Sequence, residues 1–135
     1  MMTSISPETK SRLIEAAQEA ALTAYVPYSN FPVGAALLLS DGSIVKGSNI
    51  ENISYPASIC AERTAVVKAV SDRRKDFVAI AVTGQTEDVI TPCGICRQTL
   101  AEFGPDLLVI CCNKSGQSRE YRLPQLLPEA FASLV

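Results

Sequence analysis

Three short runs of this chain are almost wholly apolar: "VGAALLL" at 33–39, "FVAIAVTG" at 77–84 and "DLLVICCN" at 106–113. A strand with one face in water alternates polar and apolar residues. A strand without that alternation must be covered on both faces. These runs therefore call for helices above and below one sheet, and the segments between them supply the helices. Ser6-Pro7-Glu8 is a good helix start, with a capping hydroxyl, proline in the first turn and an acid at the positive end. Leu13, Ile14, Ala17, Ala20, Ala21 and Ala24 then recur at helical spacing, with Pro27 as the limit. Asp41-Gly42 marks the turn of a β-hairpin within "PVGAALLLSDGSIVKGSNIEN". A second helix in "YPASICAERTAVVKAV" ends near Ser71, and a third covers "CGICRQTLAEFG". "QSREYRL" reads as a last strand and "LPQLLPEAFASLV" as a short helix or irregular tail. The order α-β-β-α-β-α-β-β-α predicts one α/β domain over residues 1–135, a three-layer α/β/α sandwich with a mixed five-stranded sheet.

Composition narrows the function. The net charge is −2 with no basic face, which argues against a polyanionic nucleic-acid partner. No apolar run approaches the roughly 20 residues that cross a bilayer, so no membrane partner is expected. "MMTSISPETKSR" lacks the apolar core of an export signal. The expected compartment is the cytoplasm, where five cysteines remain thiols. Histidine is absent. This removes histidine triads, mixed Cys/His metal sites and any histidine base. Acid–base chemistry near neutrality is left to a carboxylate, thiol or amine, or to a metal-bound water.

Three cysteines fall at two predicted helix starts: Cys60 after "YPASI", and Cys93 and Cys96 within Pro-Cys-Gly-Ile-Cys. Residues three apart share a helix face, so Cys93 and Cys96 can bind one ion. Helix N-termini favour the thiolate, which is the form that binds metal. Three thiolates on zinc leave a fourth position, the arrangement of catalytic rather than structural sites. Cys111 and Cys112 lie inside a buried strand pattern and read as core thiols. Cys93-x-x-Cys96 taken alone also fits a redox pair, Cys60 alone an inert core residue, and Glu62 alone an exposed first-turn acid. Glu62 poses a geometric problem beside Cys60, because residues two apart on a helix point to nearly opposite sides. They converge only if Cys60 precedes the regular helix.

The combination Cys60-Ala61-Glu62-Arg63-Thr64-Ala65 with Pro92-Cys93-Gly94-Ile95-Cys96-Arg97-Gln98 resembles the zinc signature of the cytidine deaminases, specifically the small homotetrameric three-cysteine type. "PYSNFPVGAAL", "GSNIENISYP" and "LLPEAF" resemble that family's first-strand segment, nucleoside-binding loop and C-terminal tail. The resemblance implies a cytidine deaminase-like fold and hydrolytic deamination of cytidine and 2'-deoxycytidine to uridine and 2'-deoxyuridine, with release of ammonia. It implies one Zn2+ per chain on Cys60, Cys93 and Cys96, with Glu62 carrying protons between water, ring N3 and the leaving amine. Asn49 and Glu51 would bind the sugar hydroxyls, and Phe31, Ala61, Tyr55 and Phe131 would complete the nucleoside site. Phe131, and Tyr55 with it, would reach a neighbouring subunit of a homotetramer whose active sites lie at subunit interfaces. Arg63, and Arg97 beside it, would donate hydrogen bonds to the thiolates and drain their charge. Two rival readings are a deaminase of a cytosine-nucleoside antibiotic and a non-catalytic zinc-stabilised binding module.

Overall fold

The hairpin predicted at Asp41-Gly42 forms one edge of the sheet. In a computed structural model of the chain, residues 4–134 are described; the extreme ends of the predicted 1–135 domain lie outside the described residues. Strands β1 (Val33–Leu39) and β2 (Ile44–Ser48) pair antiparallel. Gly42 takes φ +89°, which a side chain would resist, and the Asp41 carboxylate accepts from the Ser43 N–H. Strand β1 also pairs antiparallel with β3 (Phe77–Gly84) on its other side. Strand β3 pairs parallel with β4 (Leu108–Cys112), and β4 antiparallel with β5 (Ser118–Arg122). Among the described residues the sheet order is β2-β1-β3-β4-β5, a mixed five-stranded sheet. All three apolar runs seen in the sequence are thus interior strands.

Helices close both faces. Helix α1 (Pro7–Ala21) is capped by Ser6, whose hydroxyl accepts from the Thr9 N–H at 3.1 Å. Its Leu13 and Ala17 pack on Ala36, Leu38, Ala79, Ala81 and Ile110. Helices α2 (Ala61–Ser71), α3 (Gly94–Phe103) and the short α4 (Leu123–Leu126) cover the opposite face, over Ala35, Leu37, Ile80, Val82 and Val109. Cys111 and Cys112 face opposite sides of β4 within these two cores, and both are fully buried. They are core thiols, as their strand pattern predicts.

Topology brings the two cysteine-bearing helices to one edge. Strands β2 and β3 run in the same sense because each is antiparallel to β1 between them. Helix α2 follows β2 and helix α3 follows β3, so both helix N-termini emerge at the carboxyl ends of these strands. The two strands are parallel without being neighbours, and β1 fills the gap.

Two glycines let the layers approach. A Cβ on Gly34 would lie 1.9 Å from the Ala17 carbonyl oxygen of α1. A Cβ on Gly47 would lie 2.5 Å from the Ala61 carbonyl oxygen and 2.5 Å from the Ala65 nitrogen of α2. Backbone atoms cannot swing aside, so β2 holds the first turn of α2 at a distance only glycine permits. Gly47→Ala is expected to destabilise the protein by about 1–3 kcal/mol through overpacking. Denaturant unfolding measures it, and an unchanged midpoint would mean the first turn of α2 can move freely.

Candidate metal centre and active-site cleft

The segment before α2 explains how Cys60 comes beside Asn49. Ile50 and Ile59 exchange backbone hydrogen bonds, Ile50 N–H to Ile59 O at 3.0 Å and Ile59 N–H to Ile50 O at 2.9 Å. This bridge pinches off a loop containing the single helical turn Tyr55–Ala57. The chain therefore leaves β2, makes an excursion, and returns next to its starting point. Cys60 then caps α2 with an extended backbone (φ −73°, ψ 155°). That conformation resolves the problem posed by Cys60 and Glu62. The cap residue precedes the helix, and both side chains line one cleft.

Cys93 caps α3 in the same way (φ −68°, ψ 169°), and Cys96 lies in its first turn. The sulfurs of Cys60, Cys93 and Cys96 all lie within 4.8 Å of one another, with 3.8 Å between Cys60 and Cys93. Neither cap side chain bonds its own helix N-terminus, so both sulfurs are free to face the cluster. Hydrogen bonds from Cys96, Arg63 and Cys93 hold the Cys60 thiol down at about 5. The Cys96 thiol, which donates to Cys60, is pushed far up. Ionising all three would set negative sulfurs against one another at this distance, and a cation among them removes that conflict. The donor set therefore fits one zinc ion, which prefers three or four soft thiolates at tetrahedral spacing. Among the described residues no fourth cysteine, carboxylate or histidine joins the group.

Arg63 reaches this cluster from α2. Its Nη2 lies 3.6 Å from the Cys60 sulfur. Its Nε is buried without a hydrogen-bond partner among the described residues, a cost offset by the negative charge of the sulfurs it faces. Arg97 differs from expectation. Its guanidinium touches no sulfur: Nε donates to the Pro92 carbonyl at 2.7 Å, Nη1 to the Leu126 carbonyl at 2.6 Å and Nη2 to the Thr91 hydroxyl at 3.1 Å. Its side chain runs along the segment that precedes Cys93, where carbonyl oxygens are nearer than the metal group.

Glu62 is 4% exposed. Burial, reinforced by the negative charge on Cys60, pushes its carboxyl up to about 7. It shares a cleft of about 360 Å³ with Phe31, Val33, Asn49, Cys60, Ala61, Ile90, Thr91 and Cys93. Four of the residues named from the sequence as site residues, Phe31, Asn49, Ala61 and Glu62, thus meet two of the cysteines in one place. Val33, Ile90 and Thr91 were not foreseen. Ile90 and Thr91 belong to the loop after β3, which is anchored at the end of β4: Ile90 N–H donates to Cys112 O at 3.2 Å and the Asn113 amide to Glu87 O at 2.7 Å. The only sequence signal for them was their position just ahead of Pro92-Cys93.

The remaining expected residues lie further out. Asn49 uses its amide within the chain, accepting from Val33 N–H at 2.8 Å and donating to Phe31 O at 2.9 Å. Glu51 accepts from the Tyr28 and Ser29 N–H groups at 3.0 and 3.1 Å, and hydrogen bonds from Ser29 hold its carboxyl below the usual range. Glu51 and Tyr55 line an adjoining pocket of about 300 Å³ with Tyr28, Ser29 and Ser58. Tyr55 stacks edge-on against Tyr28, 5.8 Å between centroids. Tyr55 and Phe131 are each 69% exposed, and Phe131 lies on the C-terminal segment beside α3, outside the cleft of its own chain.

The profile of the cytidine and deoxycytidylate deaminase zinc-binding region matches residues 7–112. The chain belongs to this deaminase family. A cytidine deaminase of Halalkalibacterium halodurans is 50% identical over 125 residues, covering 92% of this chain and 95% of the relative. Among solved structures, a cytidine deaminase from Burkholderia pseudomallei superposes with a TM-score of 0.88 at 46% identity, covering 94% of this chain and all of that one. A cytidine deaminase from Mycobacterium tuberculosis superposes with a TM-score of 0.80 at 42% identity, covering 91% and 97%. The deaminase fold accounts for the mixed sheet and the three-cysteine group together. No helix among the described residues is long and apolar enough to cross a membrane.

For this deaminase-family chain, Arg63→Ala is expected to keep the fold but to weaken zinc binding by about 10–100-fold. Circular dichroism with chelator competition measures both. Undiminished zinc affinity in that variant would remove Arg63 from the support of the metal group.

Proposed function

We propose that the chain hydrolyses cytidine and 2'-deoxycytidine to the uridine nucleosides and ammonia. One observation carries this reading: a buried carboxyl, Glu62, and two of the three clustered cysteines, Cys60 and Cys93, line one cleft that also holds Phe31 and Asn49. Zinc held by Cys60, Cys93 and Cys96 would supply Lewis acidity, lowering the pKa of a coordinated water toward about 7. Glu62 accepts the proton that water releases and delivers it to ring N3 as oxygen adds to C4. The same carboxyl then brings the second water proton to the exocyclic nitrogen, and the C4–N bond breaks to release ammonia. Burial suits Glu62 to this shuttle, since a carboxylate in bulk water would hold a proton too weakly to return it.

The base would lie against Phe31 and Ala61, and the sugar between Asn49 and the adjoining pocket of Glu51. The second oxygen of Glu51 is the acceptor for a sugar hydroxyl, because the first is committed to Tyr28 and Ser29. Asn49 keeps one N–H and one lone pair after bonding Phe31 and Val33. Tyr55 and Phe131, exposed on their own chain, would complete the cleft of a neighbouring subunit in a homotetramer. Five free thiols suit a reducing cytoplasm.

The test counts zinc per chain and follows the ultraviolet loss of cytidine, with an antibiotic cytosine nucleoside as a competing substrate. The expected results are one zinc per chain, preference for cytidine, and at least a 100-fold (~10²) loss of rate in Glu62→Gln with zinc retained. A zinc-loaded wild type inert toward every cytosine nucleoside supports a binding module instead. Sizing by light scattering is expected to give a tetramer of the 14.4 kDa chain. A monomer with full activity would exclude any role for a neighbour's Phe131.

A further inference from the structure

We propose that Arg97 is a positioning residue for the metal ligand Cys93, and that it ties metal retention to the docking of the C-terminal segment. The inference rests on the zinc reading of the three-cysteine group. Its basis is the set of atoms Arg97 holds. Nε donates to the carbonyl of Pro92, the residue whose peptide plane leads directly into Cys93. Fixing that carbonyl fixes the plane of the Pro92–Cys93 peptide, and the Arg97 N–H that donates to Cys93 O at 2.9 Å fixes the next one, so the direction in which the Cys93 side chain leaves the backbone is set between them. Pro92 is fully buried and its ring locks its own φ, which removes the other freedom of the joint. Nη2 holds the Thr91 hydroxyl, so two successive residues before the ligand are braced by one planar group. Cys93 itself is exposed, and its side chain has little packing to hold it. Its orientation must come from the backbone.

The third arm of the same guanidinium crosses to another part of the chain. Nη1 donates to the carbonyl of Leu126, the last residue of α4. The next residue along α3 repeats the link, for Gln98 Nε2 donates to the carbonyl of Phe131 at 3.0 Å. The C-terminal segment is therefore fastened to the helix that carries Cys96, through side chains one and two positions beyond that ligand. Bonds from a guanidinium are charge-assisted and stronger than neutral ones. A rigid planar fork that holds both the ligand loop and the tail couples their positions, and coupling between two sites is reciprocal. Binding of the ion steadies residues 123–131, and docking of that segment steadies Cys93.

The experiment starts from zinc-loaded wild type and uses zinc and cobalt as probes. A wild type that holds no zinc overturns the metal reading itself and is thereby distinguished from failure of this inference. In Arg97→Gln, zinc affinity by chelator competition is expected to fall about 10–100-fold, and the thiolate-to-cobalt absorption of the cobalt form to shift. Arg97→Lys, which keeps the charge and can reach one carbonyl, is expected to lie between. Hydrogen exchange in wild type is expected to quicken across 123–131 on zinc removal, most clearly at the Leu127 amide that donates to Leu123 O. Unchanged affinity and cobalt spectrum in Arg97→Gln overturn the positioning role. Should that variant fail to fold, the wild-type exchange decides: protection of 123–131 indifferent to zinc overturns the coupling.

Discussion

Three thiolates cannot share a space 4.8 Å across unless positive charge stands among them, and much of the structure answers that demand. Two helix N-termini are directed at the group, each contributing a capping cysteine and the positive end of its dipole. They meet at one edge only because β1 separates two strands of like direction. Gly47 then sets how closely α2 lies on the sheet, and Arg63 brings a permanent cation to the Cys60 sulfur. Glu62 sits in the same field. The negative sulfur beside it and the burial around it both favour its protonated form.

The cleft is shaped by polar side chains that bond mainly to backbone. Asn49 clips Phe31 and Val33, Glu51 clips Tyr28 and Ser29, Arg97 clips Pro92 and Leu126, and Asn113 clips Glu87. Each clip pairs backbone groups that no strand ladder reaches, which ties irregular segments to their surroundings. In this way a loop-built site gains the rigidity that positioning a small planar ring requires.

The layers and the metal group were legible in the sequence for physical reasons. "VGAALLL", "FVAIAVTG" and "DLLVICC" have no polar alternation, and every one is an interior strand. Cys60, Cys93 and Cys96 stand at or just inside helix starts, and Pro92 immediately precedes the cap of α3. The convergence of Cys60 with Glu62 was also foreseeable, since it follows from the cap position alone. What local pattern could not supply was long-range placement. Ile90 and Thr91 enter the cleft because Asn113 and Cys112, over twenty residues later, hold their loop. Arg97 faces carbonyls instead of sulfurs because α4 folds back across α3, a contact that no periodicity encodes.

The spacing of the ligands along the chain has a consequence for folding. Cys60 and Cys93 are 33 positions apart, with the whole of α2 and β3 between them. An ion bound to both sulfurs closes that stretch into a ring. By the relation used for covalent cross-links, a ring of this size removes about 4 kcal/mol of conformational entropy from the disordered chain. That approaches the lower end of the net stability of a folded domain, about 5 kcal/mol. The centre that serves chemistry is thus also a staple across the middle of the sequence, and stripping the ion would loosen the architecture as well as empty the site.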